Sequence, residues 1–176
     1  MSVLTEKLTR ERFRERYADA KPNFELIDGI PEQKALGSKR HSYLQLILGR
    51  MLDDLGFRTG VELTLEISDT WEPLPDVAGV LGPEIGEAFQ SQPPAVVIEI
   101  LSPSDRFTLL DRKCRRYAEW GVPDILVFDP VDDRAWRWDE TSGGLVRFQE
   151  TYSFVSRPDV ELSLAEVFRR LEEKAQ

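Results

Sequence analysis

The sequence predicts an α/β fold of the mixed-sheet (α+β) kind, a partly parallel central sheet flanked by helices, and three features predict it. Ala95 to Leu101 is a nearly continuous apolar run, β-branched and preceded by Pro93-Pro94, which reads as a strand buried on both faces. Ser102-Pro103-Ser104 opens a helix that reaches about Trp120 and stops at Gly121. Asp124 to Asp129 is a second apolar strand, closed by Pro130. Strand, helix and strand within about 35 residues form a βαβ unit with a parallel pair.

The remaining elements follow in order. Thr9 caps a short helix through about Ala18. Phe24 to Ile30 reads as a strand, with Asp28-Gly29 as a turn signal. Ser38 opens an amphipathic helix in which Leu44, Ile47, Leu48, Met51, Leu52 and Leu55 recur at helical spacing until Gly56. Val61 to Ile67 alternates apolar and polar and predicts a strand, and Asp76 to Leu81 predicts another after Pro75. Arg134 to Asp139 and Leu145 to Glu150 predict a hairpin through Thr141-Ser142-Gly143-Gly144, with Trp136 and Trp138 on one face. Ser163 and Glu166 form a capping box before a last helix to about Lys174.

The 176 residues suit a single domain over 1–176. The chain is 41% hydrophobic and 31% charged, as in ordinary globular proteins. No apolar run approaches the roughly 18 residues that span a bilayer. Met1 to Arg16 is charged and lacks the apolar region of a secretory signal. The expectation is a cytoplasmic protein without membrane contact. Cys114 is the single cysteine, which excludes an intramolecular disulfide. One histidine and one cysteine cannot form a Cys/His zinc cluster. Any metal would be held mainly by carboxylates, which suits Mg²⁺ or Mn²⁺. The net charge of −9 counts against DNA binding by bulk electrostatics but not against a local basic patch. Arg106, Arg112, Lys113, Arg115 and Arg116 are the densest cationic cluster, either such a patch or a solvated helix face.

Glu99 carries the most information. It stands in Val96-Val97-Ile98-Glu99-Ile100-Leu101, inside a strand that otherwise reads as core. An unpaired buried carboxylate costs several kcal/mol, so Glu99 needs a partner, either a structural ion pair or a metal or catalytic site. Lys113 falls between Leu109 and Tyr117 in the helical phase, inside the apolar stripe of Leu109, Leu110, Cys114 and Tyr117. It either meets the carboxylate beneath or snorkels along the core. Asp76, after Leu74-Pro75, is a turn or cap residue, or the second carboxylate of a hard-oxygen cation site if it neighbours Glu99. His41 extends the inward stripe of the first long helix, as a core histidine or a contact to the site. Glu25 and Glu62 are candidate rim acids, with a solvated strand face as the alternative. The chemistry these residues support is metal-assisted phosphodiester hydrolysis. Asp76, Glu99 and the Ile100 carbonyl would hold the cation, and Lys113 would orient or help deprotonate a water and offset charge on phosphorus.

Phe24-Glu25-Leu26-Ile27-Asp28-Gly29, Pro75-Asp76-Val77, Val97 through Asp105, Lys113 with Tyr117, Gly121-Val122-Pro123 and Val127-Phe128-Asp129-Pro130 together resemble the Uma-two family. The resemblance runs over about 24–168. That family, also grouped as domain of unknown function 820, is assigned to restriction endonucleases of the PD-(D/E)XK superfamily. The resemblance implies a restriction-endonuclease-like core, a mixed sheet with flanking helices and a site where central strands diverge. The superfamily's lysine usually lies two residues after the acid, where this chain has Leu101, so the resemblance places the role on Lys113. Pro31-Glu32-Gln33-Lys34 departs from the more apolar strand of the family. The resemblance also implies a homodimer, for which Trp136, Trp138 and Phe148 are a candidate contact, the alternative being a core layer under the hairpin. The expected function is a Mg²⁺- or Mn²⁺-dependent endonuclease acting on DNA. The alternatives are a nuclease-fold binding or regulatory module without cleavage, or a subunit that needs a partner for DNA recognition.

Overall fold

The structure is a computed structural model that describes residues 7–82, 89–103 and 107–176. The expected helix start at Ser104, and Asp105 and Arg106, lie outside the described residues. Among the described residues, fourteen elements follow in chain order: α1 (Arg10–Tyr17), β1 (Phe24–Ile27), β2 (Ile30–Gln33), α2 (Lys39–Asp54), β3 (Arg58–Val61), β4 (Val77–Val80), β5 (Val96–Ile100), α3 (Phe107–Trp120), β6 (Asp124–Asp129), β7 (Arg134–Asp139), β8 (Gly144–Phe148), β9 (Thr151–Ser153), β10 (Glu161–Ser163) and α4 (Leu164–Ala175).

β3 to β8 form a six-stranded sheet in sequence order, and β5 and β6 are its parallel pair, as the βαβ reading expects. Strand alternation assigns the two faces. Val96, Ile98 and Ile100 of β5, with Leu126 and Phe128 of β6, join α2 and α4 in one core around Leu44, Leu48, Leu52, Val167 and Leu171. Val97, Ile125 and Val127 point the other way and meet Leu110, Cys114 and Tyr117 of α3. Glu99 shares the phase of Val97, so it faces α3.

Local signals act as their chemistry dictates. Ser38 Oγ accepts from the His41 N–H and caps α2, and Ser163 Oγ does the same for Glu166 and α4. The Glu166 side chain pairs with Arg169 and Arg170. Trp136 and Trp138 pack on the α3-side core and Phe148 on the other, so these aromatics form core layers under the hairpin. Arg112 and Arg116 lie 5.9 and 5.8 Å from the Trp71 ring, and Arg115 lies 5.5 Å from Trp138. The cationic cluster therefore splits, with Lys113 buried and its neighbours on indole faces. No helix among the described residues is long and apolar enough to cross a membrane.

Two strand expectations are corrected. Asp28 and Gly29 both have positive φ, 53° and 77°, which reverses the chain in a tight hairpin, so Ile30 starts β2 instead of ending β1. Positive φ at Glu62 (50°) ends β3 at Val61, so the predicted Val61–Ile67 strand lies earlier. Val61 pairs with Val77 as the end of β3, and beyond it, among the described residues, only Leu65 of that segment makes a bridge, to Gln90, although Leu63, Leu65 and Ile67 do pack on the core. Past Val61 the alternation records burial without a continuous ladder. The β9–β10 hairpin has no counterpart in the sequence reading.

Candidate active site

The β4–β5 register builds the site. Val77 pairs with Ile98 in antiparallel fashion, so the ladder extended by one residue sets Asp76 beside Glu99 on the same face. α3 then lays Lys113 over that face. The Lys113 Nζ lies 2.8 Å from Glu99 Oε1 and 2.8 Å from Glu25 Oε1, and the Tyr117 hydroxyl donates to Glu99 Oε1 at 2.7 Å. Exposure is 2% at Asp76, 4% at Glu25, 6% at Glu99 and 5% at Lys113. Lys113 is thus an inward cation between two carboxylates, with its ammonium buried, and not a snorkelling one.

Asp76 is held from several sides. Its Oδ2 accepts from the Ile100 N–H at 2.6 Å and stands 3.4 Å from His41 Nε2. Its Oδ1 stands 2.9 Å from Lys34 Nζ, at an angle that makes an ion pair without a directed hydrogen bond. Gln45 donates to the Asp76 carbonyl at 2.9 Å. Glu25 reaches the same place because the β1–β2 hairpin docks beside the chain before β4: Leu26 bridges Glu72, and Glu25 Oε1 accepts from the Leu74 N–H at 2.7 Å.

Glu25, Lys34, His41, Asp76, Glu99 and Lys113 all line one cleft of about 340 Å³, with Leu36, Ile100 and Ser102 among its other walls. The structure therefore gathers Asp76, Glu99 and Lys113, and adds Glu25 and His41. For Glu25 the solvated-face alternative fails, because tertiary docking buries it. Glu62 does not line the cleft. It is exposed, accepts from Asn23 Nδ2 at 2.9 Å and lies 3.8 Å from Lys34. The sequence reading of the site does not include Lys34 or Tyr117. The signal for Lys34 is the polar Pro31–Lys34 segment, where the resemblance implies a more apolar strand. Tyr117 lies one helical turn after Lys113 and reads as part of the apolar stripe.

The electrostatics follow from burial. Burial pushes the Glu99 carboxyl up to about 7; Lys113 pulls against this, while Asp76 and Glu25 add to it. Burial also opposes the Asp76 charge, but the His41 contact and the Lys34 ammonium outweigh it and hold that carboxyl well below its usual range. Burial disfavours the Lys113 charge too, yet Glu25 and Glu99 hold its pKa well above the ordinary value. Burial raises the Cys114 thiol, so it is no nucleophile at neutral pH.

A pH dependence of stability follows. Between about 4.5 and 7 the folded protein keeps a proton on Glu99 that the unfolded chain releases. Folding stability from this group therefore falls as pH rises through that window. In EDTA, the denaturant midpoint of the wild type should fall relative to Glu99→Gln by an amount on the order of a few kcal/mol in stability. A difference that stays flat from acid to neutral pH contradicts this.

The donor chemistry suits a hard cation. Among the described residues, no three His, Cys, Asp or Glu side chains form a metal-binding group. Two carboxylates and a backbone carbonyl leave the rest of an octahedron to water, which is how Mg²⁺ is commonly bound. Asp76 Oδ1, buried and without a directed hydrogen bond, is an oxygen such a cation can take.

A sequence model of the Uma2 family, described as "Putative restriction endonuclease", matches residues 10–172. A crystal structure of a putative nuclease belonging to domain of unknown function 820 from Anabaena variabilis ATCC 29413 superposes with a TM-score of 0.75. It shares 21% identity, over 93% of this chain and 99% of that one. No curated protein matches the sequence significantly.

Proposed function

Because the chain belongs to the Uma2 family of putative restriction endonucleases, we propose that it is a Mg²⁺- or Mn²⁺-dependent endonuclease that hydrolyses phosphodiester bonds in DNA. The observation that carries this reading is the meeting of Asp76, Glu99 and Lys113 in one cleft. Asp76 and Glu99, with the Ile100 carbonyl, would hold the cation. When bound, that cation supplies Lewis acidity toward the phosphodiester. The Ile100 N–H and His41 fix Asp76, and the Tyr117 hydroxyl fixes Glu99, so the acids are oriented before substrate arrives. Lys113 is held protonated by two carboxylates. It therefore acts as a hydrogen-bond donor and positive charge that orients the attacking water and offsets charge on phosphorus, and not as the base.

Purified protein should nick supercoiled plasmid with Mg²⁺ or Mn²⁺ and not in EDTA, and Glu99→Ala should lose nicking at least about 100-fold. Nicking that survives in Glu99→Ala sinks this mechanism. A nuclease-fold module that binds without cutting is the second reading, favoured by the net charge of −9. Calorimetry that detects no Mg²⁺ or Mn²⁺ binding, with DNA present, would select it.

A further inference from the structure

Four carboxylates and two ammonium groups line the cleft: Glu25, Glu32, Asp76 and Glu99, with Lys34 and Lys113. Lys34 meets Asp76, and Lys113 meets Glu25 and Glu99. The proposed hydrolytic mechanism uses one of those ammonium groups. Lys34 is left over, and it sits on the oxygen that a cation needs.

Its placement is built in. The Lys34 N–H donates to the Asn23 carbonyl at 2.8 Å, which pins its backbone at the base of the β1–β2 hairpin. From there the side chain reaches Asp76 Oδ1 at 2.9 Å and donates to the Leu74 carbonyl at 2.6 Å. Asp76 Oδ2 is engaged by the Ile100 N–H and faces His41, so Oδ1 is the oxygen open to a new ligand.

We propose that the Lys34 ammonium is a resident counter-ion of Asp76 that a divalent cation displaces on entering the site, so that Lys34 sets the metal affinity of the cleft. The inference rests on the reading of Asp76 and Glu99 as a metal centre. Charge supports exchange over sharing. Lys34 Nζ already stands 2.9 Å from Asp76 Oδ1, and two cations on one carboxylate oxygen would repel each other at short range in a weakly screened cleft. Lysine suits the part, because its ammonium is a compact, well-hydrated charge on a flexible stem.

The test compares Mg²⁺ and Mn²⁺ binding by calorimetry in the wild type and Lys34→Met. Methionine keeps much of the stem and removes the charge. The expected result is binding at least about ten-fold tighter in Lys34→Met, within the range of ordinary coupling between competing ligands. Because loss of any nearby charge favours a cation somewhat, a second measurement follows the wild-type side chain itself. With ¹⁵N-labelled lysine, the Lys34 ammonium signal, identified by its absence from Lys34→Met, should shift and exchange faster with water as Mg²⁺ is added. The Lys113 signal should persist. A Lys34 signal unchanged at saturating Mg²⁺, or equal affinity in the two proteins, overturns the exchange and leaves the metal centre standing. No binding to either protein at millimolar Mg²⁺ or Mn²⁺ overturns the metal centre and the exchange together. Binding only to Lys34→Met supports the exchange in its strongest form.

Discussion

Lys113→Met is expected to lower stability by about 3 to 5 kcal/mol at about pH 8. The substitution removes the one charge that stands 2.8 Å from both Glu25 and Glu99. The two carboxylates then remain buried against each other, and an uncompensated buried charge costs more than the original pair contributes. The loss should shrink toward about pH 5, because Glu99, already pushed up to about 7, takes a proton there. Adding Glu25→Gln to Lys113→Met should recover at least about 1 kcal/mol, since it removes one of the two opposed acids. Urea unfolding in EDTA reads all three quantities. A Lys113→Met protein as stable as the wild type at pH above neutral would show that the ammonium is not the partner of these acids. On the proposed nuclease reading, the same variant loses plasmid nicking by at least about 100-fold, and a conservative Lys113→Arg does not restore it.

Asp124→Ala should cost a comparable amount for an unrelated reason. Asp124 is fully buried at the start of β6. It accepts from the Tyr152 hydroxyl at 2.7 Å, the Val155 N–H at 2.7 Å, and the Ser156 N–H and hydroxyl at 2.9 and 2.5 Å. One carboxylate thereby ties β9 and the segment after it to the start of β6, an interior strand of the central sheet. Alanine leaves four donors without their acceptor, the Tyr152 hydroxyl in a buried contact and the other three in partly buried ones. The expected loss is about 3 to 5 kcal/mol by urea unfolding. Asp124 does not line the cleft of Asp76, Glu99 and Lys113, so on the proposed nuclease reading nicking per folded molecule should be unchanged. A loss below about 1 kcal/mol would mean that other acceptors or water replace it.

Glu99 and Asp124 are both acids in buried strands, and their contrast shows what distinguishes a site from a brace. Asp124 spends both oxygens on neutral donors of one strap. Glu99 faces a cleft, shares it with Asp76 and Glu25, and is balanced by a lysine from another element.

Periodicity by itself determined much of this protein. The alternation in β5 put Glu99 in phase with Val97, away from the Ile98 side. The helical phase of α3 put Lys113 among Leu110, Cys114 and Tyr117. Both patterns are local, because a side chain's direction along a strand or helix depends only on its own backbone. The βαβ unit was equally legible, since it needs only two apolar runs and a helix between them. Tertiary structure decided the rest. The β4–β5 register, which no local pattern records, brings Asp76 beside Glu99. Docking of the β1–β2 hairpin buries Glu25 and delivers Lys34 to Asp76, although in sequence Glu25 reads also as a solvated strand face and Lys34 only as part of a polar segment. The Val61–Ile67 alternation misled because burial and ladder pairing are separate conditions, and the positive φ at Glu62 removes the second. A sequence shows which way a side chain points within its own element. Only the packing of distant elements shows how deeply it is buried and which charge it meets there, and in this cleft the two together shift Asp76, Glu99 and Lys113.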